Sequence, residues 1–152
     1  MLVTEYEWIP PKTDWKISYD SEGTYQGDFF EPQDYNRIKN NVNYLRDYVK
    51  YMYAVNPEFL DLGEDVFYGS ENDLTASWWK KLQDNLEYLN AASVNLSLGD
   101  RAIFYSNEAG SLLEELIRVE TISLNMYTKL VEIHNNKPRL AFRLGNQKGI
   151  RC

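Results

Sequence analysis

The chain has 152 residues, 43% of them hydrophobic and 14% aromatic, which is enough for one domain with a real core and too apolar to read as disordered. Its net charge of -7, with Lys and Arg scattered among acids until Arg139, Arg143, Lys148 and Arg151, excludes the broad basic patch on which nucleic-acid affinity rests. One cysteine, Cys152, allows no intrachain disulfide and fits a reducing compartment; no run reaches the roughly 18 apolar residues of a membrane span, and the start MLVTEYEWIP lacks a signal peptide's basic and apolar regions.

Residues 1–30 hold a Pro-Pro pair, two glycines, two tryptophans and three tyrosines, which is neither a helix pattern nor a floppy linker. Aromatics at that density need burial. The segment predicts an extended N-terminal arm with turns near Pro10-Pro11 and Glu22-Gly23, laid along a bundle groove or a neighbouring subunit. Trp8, Trp15 and Tyr19 are its candidate interface residues.

A helical bundle follows over 31–137. The first helix, about 32–54, opens with Pro32 in its first turn, Glu31 and Asp34 complementing the dipole, and Phe29 and Phe30 placed as a staple. Tyr35, Ile38, Val42, Leu45, Val49 and Met52 line one face at alternating three- and four-residue spacings. The polar face holds Asn36, Asn40, Asn41 and Asn43. Asn competes for nearby backbone groups and is a mediocre helix former, so something other than helicity selects those amides.

The long connection AVNPEFLDLGEDVFYGSENDL carries Phe59, Leu60, Leu62, Val66, Phe67 and Tyr68, and a loop of that length is expected to pack or bind. The second helix, about 74–93, opens at Asp73 or Thr75. A short strand is expected over Arg101 to Tyr105. The third helix, about 111–135, ends ahead of Pro138, with His134 near the end complementing the dipole. In the tail, 138–152, Leu140, Phe142 and Leu144 alternate with Arg139, Ala141 and Arg143, which reads as a strand, and Gly145 and Gly149 allow a hairpin. Leu140, Phe142, Leu144 and Arg143 are therefore candidate contacts to another chain.

The three helices resemble one another. Arg37 to Leu45 lies over Lys81 to Leu89 at an offset of 44 residues, matching Asn41 with Asn85, Tyr44 with Tyr88 and Leu45 with Leu89. At a further offset of 37, Leu116, Val119, Ser123, Met126, Leu130 and Ile133 occupy the places of Tyr35 through Met52, and Arg118 falls on Arg37. The fold class expected is mainly α: a three-helix bundle of repeated amphipathic helices with an extended arm, long ordered loops and a short C-terminal strand.

The search for chemistry is mostly negative. His134 is the sole histidine, Cys152 has no histidine near it in the pattern, and no phosphate loop, His/Cys metal spacing or calcium-loop grammar appears. Asp61, Glu64 and Asp65, with Glu71 and Asp73, are read as a solvated acidic surface rather than a calcium site. The expectation is no enzyme, no cofactor and no metal. Twelve tyrosines remain, with Tyr44, Tyr48, Tyr51 and Tyr53 crowding the first helix, either as a wide buried face, a contact surface or a sugar-stacking face.

PKTDWK, then GDFF, then DYNRIKNNVNYL resembles a recurring segment of small tail and baseplate-associated proteins of phages and prophages of Gram-positive gut bacteria. The matching positions are Lys12, Thr13, Asp14, Trp15, Asn36, Arg37, Ile38, Asn40 and Asn41, within residues 11–45. The resemblance implies a virion structural role, with other virion proteins or copies of itself as partners, and supplies no catalytic residues. Longer members carry a receptor-binding or lytic module, and none is recognised in the residues after the third helix, so a tail-tip, adaptor or connector role is expected. On this reading Asn36, Arg37, Asn41 and Asn85 are structural polar residues, and Asn41 and Asn85 are expected to lie at least partly buried, with their amides satisfying the backbone of an extended segment that has no ladder of its own. The competing expectations are a carbohydrate or cell-wall binding module with exposed Tyr and Trp faces, and a small regulator acting through its acidic surface.

Overall fold

The computed structural model describes residues 2–67, 75–103 and 112–146, and within the last stretch the side chains of 113–136. The fold is mainly α, with three helices: α1 (Pro32–Tyr53), α2 (Ala76–Ala91) and α3 (Leu112–Asn146). Pro32 takes the first position of α1, where its missing N–H costs nothing, and the Asp34 carboxylate accepts the Glu31 N–H at 2.9 Å. Thr75 caps α2 by accepting from the Trp78 N–H at 3.1 Å. Ala54 ends α1 in the left-handed region at φ 51°, and Asn95 does the same for the chain leaving α2.

One apolar core joins the three stripes. Ile38, Val42, Leu45 and Val49 of α1 meet Leu82, Leu86 and Leu89 of α2 and Leu116, Val119, Met126 and Leu130 of α3. The helices run parallel. Along α1 and α3 the contacts climb together, from Arg37 with Glu120, through Tyr44 with Tyr127, to Tyr48 with His134. Joining parallel helices requires the chain to travel back the length of the bundle each time. A 16-residue helix is about 24 Å long, so seven or so extended residues make the return. These returns are the non-helical segments 57–67 and 95–103, and residues 2–15 take the equivalent path ahead of α1.

Several expectations are corrected. The third helix does not stop before Pro138 but continues to Asn146, so Leu140, Phe142, Arg143 and Leu144 lie on a helix rather than a strand. Leu140 and Leu144 are also four apart, and Ala, Leu and Arg are good helix formers, so this short run fits either period and the continuing helix decides it. His134 consequently sits inside α3 rather than at its end. Residues 101–103 form no strand; 104 and 105, the hairpin expected at 150–152 and the cap at Asp73 lie outside the described residues. Among the described residues the sole β pairing is an isolated bridge between Tyr19 and Tyr25, around a turn at Gly23, φ 84°. Pro10 and Pro11 lie in extended chain without a turn.

Candidate functional site

An extended segment has no partner strand, so each of its buried peptide groups must find a hydrogen bond elsewhere. Here side chains on the helices supply them. In the groove between α1 and α3, the Asn41 amide accepts from the Ile9 N–H at 3.1 Å and donates to the Ile9 carbonyl at 2.7 Å. Asn40 donates to the Glu7 carbonyl at 2.6 Å and Asp47 accepts from Thr4 at 2.7 Å. Trp8 stacks on Tyr127 at 4.1 Å beside Tyr44. At the lower end, Glu120, only 2% exposed, accepts from Trp15 Nε1 at 2.9 Å, the Lys12 N–H at 3.3 Å and Arg37 Nε at 2.8 Å. Burial opposes the Arg37 charge, but Glu120 and Asp34 outweigh it and hold the guanidinium above its ordinary value.

The groove between α1 and α2 repeats the device, chiefly with neutral groups, although Lys39 also donates to the Gly63 carbonyl at 3.3 Å. Asn85 accepts from the Leu60 N–H at 2.7 Å and donates to its carbonyl at 2.8 Å. Asn36 does the same for Val66, with both bonds at 2.9 Å. Between them the Leu62 carbonyl accepts from Tyr35 and from Trp78 Nε1 at 3.3 and 3.2 Å.

Between α2 and α3, Asn90 brackets Leu96 with two bonds of 2.8 Å, and Arg118 donates to the Leu98 carbonyl at 3.1 Å. Gln83 donates to the Ala102 carbonyl at 2.8 Å while Glu115 accepts from the Ala102 N–H at 3.2 Å. Nearby, burial pushes the Asp84 carboxyl up, but hydrogen bonds from Arg101 and Lys80 prevail and leave it below the usual range.

The three segments thus follow one rule: each lies between the helix it precedes and the helix before that, with α3 standing before α1. Four asparagines, Asn36, Asn41, Asn85 and Asn90, each bracket one extended residue. An Asn side chain offers the same C=O and N–H as a peptide unit, so it pairs with an extended residue as a neighbouring strand would.

Asn41 is 1% exposed and Asn85 fully buried, each against a loop; Arg37 joins Asp34 to Glu120, and Asn36 is half-buried. Trp15 is buried and Trp8 half-buried within the chain, while Tyr19 is 64% exposed. Leu140, Phe142, Arg143 and Leu144 stand on α3, beyond the described side chains. Asp61 accepts from the Gly63 N–H and Asp65 pairs with Lys39, so these acids face different partners. Sequence reasoning missed Glu120, Glu115, Gln83 and Asn90. The available signal was two carboxylates interleaved with the apolar stripe of α3, Glu120 four residues after Leu116 and Glu115 four before Val119.

Glu115 and Glu120 are each saturated by donors, which leaves neither free for acid–base work. What the arrangement does chemically is hold backbone in place. No family model matches the chain, and no curated protein or solved structure matches it.

Proposed function

We propose that the chain is a non-enzymatic structural subunit, a tail, baseplate or connector component, of a phage or phage-like particle, acting through contacts with other virion proteins or copies of itself. One observation carries this reading. Five of the eight exposed large apolar side chains among the described residues, Ile17, Tyr19, Phe29, Phe67 and Ile103, lie where the returning segments reach the starts of the helices; Val3 and Ile9 on the arm and Val55 after α1 lie elsewhere. Because the helices are parallel, those starts share one end of the bundle. Apolar groups gathered at one end mark a contact surface. The resemblance to tail-associated proteins supports the same reading. Its residues Lys12, Trp15, Asn36, Arg37 and Asn41 all serve to fix extended segments in grooves, a structural task.

The test is native mass spectrometry of the purified chain, alone and mixed with the products of adjacent genes. The wild type should form a defined oligomer or complex, and Tyr19→Asp with Phe29→Asp should abolish it while leaving the helical circular dichroism intact. A chain that stays monomeric in every mixture contradicts the proposal.

A second reading, a carbohydrate-binding module, rests on the exposed rings of Tyr19 and Phe29, which meet the half-buried Tyr25 edge to face at 5.4 and 5.2 Å. A glycan array separates the two: saturable sugar binding lost in Tyr19→Ala favours the module.

A further inference from the structure

The outer face of α1 forms the floor of an open trough of about 1230 Å³, walled on one side by residues 5–9 and on the other by residues 56–65. Its floor runs from Gln33 to Lys50, which is about 25 Å of helix and room for roughly seven extended residues. Asn43 lies in that floor. It is 9% exposed, yet among the described residues neither atom of its amide has a protein partner. Of the five other asparagines on α1 and α2, four use both amide atoms to bracket an extended residue and Asn40 donates to the Glu7 carbonyl, so Asn43 alone has an amide that makes no bond among the described residues. A largely buried amide without partners costs free energy unless something outside the chain completes it.

We infer that the trough is a binding site for an extended peptide segment of a partner protein, whose backbone N–H and C=O are bracketed by Asn43. The flanking segments already show the geometry: Ile9 on one side and Val66 on the other are extended residues held by Asn41 and Asn36 of the same helix. The charges fit a peptide of mixed composition rather than a polyanion. Lys39 is paired with Asp65 and Arg46 with Asp47, while Lys50, Glu5 and Glu64 in the lining have no ion-pair partner among the described residues. A sugar is the poorer fit, because of the two rings in the walls, Tyr6 and Phe59, that of Phe59 is covered by the Arg46 guanidinium at 4.8 Å, which leaves no pair of open aromatic faces to sandwich it. This inference is independent of the particle assignment; it concerns a different face from the apolar end of the bundle.

The test is a positional-scanning library of N-acetylated, C-amidated heptapeptides read by fluorescence anisotropy, with chito- and cello-oligosaccharides as the parallel arm. Selected peptides should shift the side-chain amide resonances of Asn43 and bind Asn43→Leu roughly tenfold or more weakly, the loss expected for two hydrogen bonds. Asn43→Leu should melt no lower than the wild type, because it removes an amide that the fold leaves unpaired. Asn43→Ser, which keeps one donor and acceptor, should bind with intermediate strength. The proposal is overturned if no peptide binds, if peptides bind wild type and Asn43→Leu equally, if only oligosaccharides bind, or if Asn43→Leu melts lower and so shows the amide to be satisfied within the fold.

Discussion

The two grooves beside α1 solve one problem with two chemistries. Toward α2, neutral amides each meet one extended residue with a matched donor and acceptor, as Asn85 does for Leu60. Toward α3, Asn41 does likewise for Ile9, but a buried carboxylate, Glu120, gathers Lys12, Trp15 and Arg37 as well. An amide bracket is self-contained, so its loss is local. A carboxylate hub depends on its counter-ion, so removing it strands several donors and leaves a largely buried cation with one partner fewer.

Glu120→Ala should therefore have the largest effect, about 3 kcal/mol or more lost in denaturant unfolding, because Trp15 and the Lys12 N–H lose their acceptor and Arg37, 14% exposed, keeps Asp34 alone. Asn85→Ala should cost about 2 kcal/mol by removing a fully buried amide and leaving both peptide groups of the half-buried Leu60 without it. Asn36→Ala, at a half-exposed bracket that water reaches, should cost about 1 kcal/mol. If Asn85→Ala proved as damaging as Glu120→Ala, the distinction between local bracket and shared hub would fail.

A smaller effect belongs to alkaline pH. Burial first, then the neighbouring Tyr44, Tyr127 and Tyr51, push the Tyr48 hydroxyl up to about 12 from 10.0. The folded state thus keeps a proton that the unfolded state releases, so this contribution is full below pH 10 and is lost as pH rises toward 12. Unfolding titrations across that window should show a steeper decline for the wild type than for Tyr48→Phe, which has no proton to lose there.

Periodicity made α1 and α2 legible, since Ile38, Val42 and Leu45, and Leu82, Leu86 and Leu89, fall on single faces and are buried. The asparagines were legible because poor helix formers on a helix face needed another reason, and Asn36, Asn41 and Asn85 each bracket a loop residue. The full length of α3 was not, because Pro138 reads as a stop and the run after it fits two periods. Glu120 escaped because its burial depends on Arg37, a partner 83 residues away that no local pattern names. Parallel helices were invisible for the same reason: direction is set by which groove each return segment enters.

The central claim is that helix side chains hold extended backbone in the grooves. Amide hydrogen exchange measures it most directly at Ile9, Leu60, Val66 and Leu96, four N–H groups outside any helix whose acceptors are asparagine side chains. All four should exchange far more slowly than free peptide, and Asn41→Ala should release Ile9 while leaving the others protected. Exchange of these four at the rate of an open loop would contradict the account.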